Sequence, residues 1–174
     1  MLCYNESMKI AIISDIHDNI PNLDKVLGYL KENHIDKIIC CGDFGSQGTM
    51  KYLDNNFKGT IRAILGNADL DHMEYIDVKD KFKSIKLDES VSSFVIEGKE
   101  VLIVHSPDNY EPHLSRDNLK YIFYGHTHKP WQEVKNGKLI INPGNVSNYG
   151  YSPTFAVWET DNDKFDLVQL NTIK

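Results

Sequence analysis

Residues 9–17 read Lys-Ile-Ala-Ile-Ile-Ser-Asp-Ile-His. The first six are mostly apolar and rich in isoleucine, as in a strand covered on both faces, and Asp15 and His17 follow at once. A helix comes next: Pro21 suits its first turn, and Leu23, Val26, Leu27 and Leu30 recur at i, i+3, i+4 and i+7. Residues 37–41 repeat the short apolar strand, Met50, Leu53 and Phe57 mark a second helix, and residues 60–65 give a third strand. This βαβαβ order predicts parallel pairing.

The second half changes character. Strand-like runs at 92–96, 99–104, 121–124, 131–134, 139–142, 154–159 and 165–170 are separated by turns, with Asn136-Gly137 a strong hairpin signal. Mixed or antiparallel pairing is expected there, so the fold class is α/β, with the two halves packed as two sheets around one core. A length of 174 residues suits one domain. Met8 opens the first credible strand, which predicts a domain over 8–174 and an N-terminal extension over 1–7.

Hydrophobic residues make up 41% of the chain and charged residues 25%, which excludes both an intrinsically disordered chain and a membrane protein. The net charge of −6 argues against non-specific binding to nucleic acid or an anionic membrane surface. No signal segment or membrane span is readable, so a cytoplasmic location is expected. Cys3, Cys40 and Cys41 read as reduced thiols, since adjacent cysteines on a strand alternate faces. The sequons at Asn5 and Asn145 are then chance matches. A homo-oligomer is permitted but not indicated.

Polar residues fall just after the apolar runs. Asp15 and His17 follow the first strand, Gly42-Asp43 the second and Gly66-Asn67 the third; His105 ends the run 99–104, and Gly125-His126-Thr127-His128 ends 121–124. Ligands of open parallel sheets bind outside the carboxyl ends of strands, so these residues can converge. Each fragment alone is weak; their shared placement is not. Mixed Asp, His and Asn donors suit divalent ions such as Mn2+, Fe2+, Zn2+ or Co2+. Seven donors exceed one tetrahedral site and suit two ions sharing a carboxylate, which points to hydrolysis of a phosphoester, a monoanionic diester by charge.

Asp15-x-His17, Gly42-Asp43, Gly66-Asn67, His105 and Gly125-His126-x-His128, in this order, resemble the calcineurin-like metallophosphoesterase superfamily. Asn142-Pro143-Gly144 and the compact size are similar to its small prokaryotic phosphodiesterase subgroup. The resemblance implies a four-layer α/β/β/α sandwich. It assigns Asp15, His17 and His128 to one metal and Asn67, His105 and His126 to another, with Asp43 bridging and Mn2+ or Ni2+ as the usual ions. It also implies that a hydroxide bridging the two ions attacks phosphorus in line, on a small phosphodiester.

Two departures stand out. Ala68 occupies the place where many members carry a His that protonates the leaving group, so a preference for good leaving groups is expected, with His72 either a substitute acid or an ordinary helix-start residue. His105-Ser106-Pro107 replaces the usual His-Gly-His, and the loop after it brings His113 and Arg116 forward as substrate contacts. Asp69 is expected to support catalysis by orienting a ligand His through a hydrogen bond, or to cap a short helix. Two alternatives remain: a metal-binding scaffold on the same fold, as in a retromer subunit, and a phosphomonoesterase, which the chain's two arginines disfavour.

Overall fold

The computed structural model describes residues 8–173; the expected extension over 1–7, with Cys3 and Asn5, lies outside them. The chain runs β1 (Lys9–Ile13), α1 (Ile20–Glu32), β2 (Lys37–Cys40), α2 (Gln47–Asn56), β3 (Thr60–Ile64), α3 (Asn67–Leu70), α4 (Tyr75–Val78) and β4 (Ile85–Asp88). It continues through β5 (Val91–Ile96), β6 (Lys99–Val104), β7 (Leu119–Phe123), β8 (Trp131–Lys135), β9 (Lys138–Asn142), β10 (Thr154–Glu159) and β11 (Lys164–Gln169). None of the described helices is long and apolar enough to cross a membrane.

The strands form two mixed sheets, ordered β11-β10-β1-β2-β3-β4 and β5-β6-β7-β9-β8. As the βαβαβ pattern predicts, β1, β2 and β3 pair in parallel. The division between sheets is not the expected division between halves, because β10 pairs antiparallel with β1 and carries β11 with it into the first sheet. The physical reason lies in β1: Ala11, Ile12 and Ile13 are fully buried, and without β10 this strand would leave a row of buried backbone groups unpaired. The sequence reading also passed over β4, four residues of which alternate ones are charged.

Side-chain alternation builds the layers. Leu23, Val26 and Leu30 of α1 pack with Ala11, Ile13, Ile38 and Ile61 on one face of the first sheet. Ile10, Ile12 and Ile39 meet Val101, Tyr121 and Phe123 between the sheets. Cys40 and Cys41 turn to opposite sides of β2, one into each core, as buried free thiols. Burial pushes both thiol pKa values up, which keeps them protonated and unreactive. The fourth layer is thin: two 3-10 turns at 107–109 and 111–113 lay Tyr110 and Leu114 over Leu102, Ile122 and Ile140.

The hairpin between β8 and β9 turns at Asn136 and Gly137, both with positive φ, as a two-residue turn of this kind requires. Helix α1 is capped by the Asn19 side chain, which accepts from the Asn22 N–H. Ser46 caps α2 in the same way, accepting from the Thr49 N–H. Both helices therefore start at the end of the first sheet where its parallel strands finish.

Candidate active site

All seven residues expected as ligands lie at that end, six in the loops that leave β1, β2, β6 and β7 and Asn67 at the start of α3 after β3. Five of them, Asp15, His17, Asp43, His126 and His128, have φ between 44° and 66°. Left-handed backbone at non-glycine residues costs about 1–3 kcal/mol each and persists where the surroundings over-determine it.

The surroundings do so. Asp15 N–H donates to the Gly42 carbonyl (3.0 Å), and the Ile16 and His17 N–H groups both donate to that of Asp43 (2.7 and 3.1 Å). His126 N–H reaches across to the Asp15 carboxylate, 3.1 Å from either oxygen. Glycine is required where loops touch: a Cβ on Gly66 would stand 2.1 Å from Asp43 Oδ1, and one on Gly125 would stand 1.9 Å from Ser14 Oγ.

Asp43 occupies the centre. Its Oδ1 is anchored by the Ala68 N–H at 2.9 Å, while Oδ2 faces His105 Nε2 at 3.2 Å and His17 Nε2 at 3.5 Å. On one side of it, His17 Nε2 and His128 Nε2 are 3.2 Å apart, with Asp15 Oδ1 3.3 Å from the latter. On the other, Asn67 Oδ1 sits 3.1 Å from His105 Nε2 and 2.8 Å from His126 Nδ1. Single oxygen and nitrogen atoms of Asp15, His17 and His128, and of Asp15, Asp43 and His105, come close enough together to hold a metal ion.

Two tautomers follow from the outer contacts. His105 Nδ1 lies 2.7 Å from the Cys41 carbonyl and His128 Nδ1 lies 3.0 Å from that of Tyr149. A carbonyl only accepts, so both Nδ1 atoms carry hydrogen and both Nε2 atoms turn toward the cluster. The cluster is thus a convergence of acceptors that demands positive charge.

In the metal-free chain, the carboxylates favour protons on His105 and His128. The Asp15 hydrogen bond raises the pKa of His128, against burial. Burial lowers that of His105, but the hydrogen bond and charge of Asp43 outweigh it and the net shift is upward. Burial likewise opposes ionisation of Asp43, yet His105, the Ala68 N–H and the His17 charge together hold its carboxyl below the ordinary value. The donor set therefore fits divalent cations, which would replace those protons.

Asp69 does not reach a histidine as expected. Its two buried oxygens accept from the Gly45 and Gly66 N–H groups, both at 2.9 Å, so it ties together the loops that carry Asp43 and Asn67. Burial pushes its pKa up to about 6 in spite of these donors.

Arg116 also departs from expectation. It pairs with Glu100 and donates to Ser93 Oγ at 3.2 Å, which draws it to the start of β6, ~16 Å along that strand from His105 at ~3.3 Å per residue. The Glu100 carboxylate, which also accepts from Ser93 Oγ at 3.0 Å, holds the guanidinium there. His113 is half-buried in the thin outer layer, and His72 is exposed in the turn after α3. Neither ring makes a hydrogen bond to the cluster among the described residues.

Asn145 escaped the sequence reading, where it served only as part of a sequon. Fully buried, it donates to the His128 and Tyr151 carbonyls (3.1 and 3.3 Å) and accepts from the Tyr149 N–H (3.0 Å). Asn142, read as loop-shaping, donates to the Gly125 carbonyl at 2.8 Å and to Thr127 Oγ1 at 3.0 Å. These two amides hold the loop of His126 and His128 from both ends.

Comparison with known proteins gives the family. The family model of the calcineurin-like phosphoesterase superfamily domain matches residues 8–163. Phosphodiesterase MJ0936 of Methanocaldococcus jannaschii is 29% identical over 169 residues, covering 94% of this chain and 99% of its own. Phosphodiesterase YfcE of Escherichia coli K12 is 23% identical over 180 residues, covering 94% and 93%. A solved structure of an archaeal phosphodiesterase superposes with a TM-score of 0.82 at 28% identity, over 93% of this chain and 99% of that one. Matched by that family model over nearly all of its described length, the chain belongs to the calcineurin-like phosphoesterase superfamily.

Proposed function

We infer that the protein hydrolyses phosphodiesters with two divalent metal ions held at the strand ends. Asp15, His17 and His128 would hold the first, Asn67, His105 and His126 the second, and Asp43 both. The position of Asp43 carries this reading: one carboxylate oxygen is pinned by backbone while the other faces a histidine of each group. When bound, such a pair of ions activates water near neutral pH and stabilises the entering and leaving oxygens of a displacement at phosphorus. The mixture of oxygen and imidazole donors suits several divalent ions, and Mn2+ is the one we expect from the resemblance to the small phosphodiesterases. Asp69, Asn142 and Asn145 act indirectly, fixing the loops that aim these donors.

A diester is favoured over a monoester because neither arginine is available to grip a phosphate dianion. Arg62 is held by Asp88 and Ser92, and Arg116 by Glu100. Tyr149 supplies a wall for the organic part of the substrate. The residue is 75% exposed, its ring lies edge-on to His128 at 6.0 Å, and its backbone is fixed by Asn145 on one side and His128 on the other.

Metal analysis together with competing hydrolysis of mono- and diester nitrophenyl phosphates tests the reading, with Asp43→Asn as the blank. Two ions per chain and faster diester cleavage are expected. Two ions without hydrolysis would move the protein to the scaffold reading, and activity retained in Asp43→Asn would place hydrolysis elsewhere.

A further inference from the structure

At the opposite end of the sandwich, where the parallel strands begin, the inner face of the first sheet is basic. Ile39 and Ile64 point into the gap between the sheets, whereas Ile38, Ile61 and Ile85 point to the helices. Alternation therefore turns Lys37, Arg62 and Lys86 into the gap from three neighbouring strands. The register sets Arg62 directly beside Lys86. Like charges side by side on a sheet destabilise it, so core packing alone gives no reason for them.

A cavity of about 660 Å3 opens at this place, within the range of sites for small organic ligands. Its charged lining is Lys37, Arg62, Lys79, Lys83 and Lys86 against Asp80 alone. Lys37 has Asp36 at 3.1 Å, and Arg62 is held by Asp88 and Ser92 over the face of Phe94. Lys79, Lys83 and Lys86 form no ion pair among the described residues. This concentration of positive charge runs against the net −6 of the chain. The rest of the lining includes the partly exposed Phe82, Phe94 and Ile96, an apolar surface that a bare inorganic anion would leave uncovered.

We propose that this cavity is a second, non-catalytic site for a nucleotide. Its phosphates are met by Lys79, Lys83 and Lys86, and its base lies against Phe94 and Ile96, partly exposed apolar residues of the gap. The strands β2 and β3 separate it from the loops of Asp43 and Asn67 by roughly 13–17 Å at ~3.3 Å per residue, so the site stands apart from the proposed metals and does not depend on them.

Calorimetric titration of the metal-loaded protein with ADP, inorganic phosphate and adenosine tests this, alongside the double variant Lys83→Glu/Lys86→Glu. ADP is expected to bind more tightly than either part alone, and more weakly as salt is raised. The double variant should weaken ADP binding by at least about tenfold and leave diester hydrolysis unchanged, which also shows that it folds. The same titration on Asp43→Asn separates ADP held at the metals from ADP held here: binding there should persist. Phosphate binding as tight as ADP, ADP binding unaffected by the lysine substitutions, or no ADP binding by the parent would each overturn the proposal.

Discussion

The two ends of the sandwich are made from the same strands and follow opposite rules. Where the strands finish, five of the seven clustered residues adopt left-handed backbone and loops touch so closely that only glycine fits at Gly66 and Gly125. Where the strands begin, no residue lining the basic cavity has positive φ, and the lysines there are largely solvated. One end is specified by position and the other by charge. The first should fail when a single atom is added or a donor changed, and the second only when its sign is altered.

The largest effect that separates them is expected from Asp43→Asn. Initial rates on a nitrophenyl diester should fall by more than about 10³-fold, as for groups that work as one assembled unit, with no change in ADP affinity at the far cavity. Leaving-group preference comes next. With Ala68 where a proton donor could stand, a dialkyl phosphate should be cleaved ~10²–10⁴-fold more slowly than its nitrophenyl counterpart, the usual worth of general acid help; comparable rates would show that another group supplies the proton. Gly66→Ala, whose new methyl meets Asp43 Oδ1, should cost about 10–100-fold in metal affinity or activity. Lys86→Ala should cost none, and metal titration with rate measurements compares the two.

A smaller effect links the strand-end cluster to pH. The raised pKa values of His105 and His128 contribute stability to the metal-free chain below about pH 6.5, and that contribution is lost as pH rises through the folded values. Asp43 is shifted the other way, and its contribution is lost only in acid, below this window. Metal displaces the histidine protons, so the rise in Tm on adding Mn2+ should be greater at about pH 8 than at about pH 6. An equal rise at both would mean that protons and metal do not compete for these nitrogens. The smallest effect lies away from both ends: Gly28→Ala, inside α1 with open space around its Cβ position, should stabilise the chain by about 0.5–1 kcal/mol in denaturant unfolding and leave activity alone.

The cluster was legible in the sequence because each of its residues comes immediately after an apolar run, and local order is enough to place it at a strand end. Membership of a sheet is not local. The run Thr-Phe-Ala-Val-Trp-Glu reads as a strand whichever sheet takes it, and only the empty side of β1 decides. Arg116 was misplaced for a related reason: it lies in the loop before β7, and its partner Glu100 is on β6, so the pairing of a loop with a strand leaves no mark on spacing. Asn145 has an amide's ordinary look in a turn, and its use depends on carbonyls that folding brings to it. The basic cavity is similarly diffuse, since Lys37, Arg62 and Lys86 share a face only once β2, β3 and β4 are side by side.

The return of β10 to β1 bears on how the protein is made. The two strands pair across Lys9 and Glu159, so β1 keeps one flank open on the ribosome until β10 has been synthesised. At ~5–20 residues per second this is a wait of roughly 7–30 s, during which an apolar strand sits at the border of an unfinished sheet. Early truncation of the message would release fragments with that border exposed, and such fragments should be substrates for chaperones and proteases even though they contain most of the residues that gather at the strand ends.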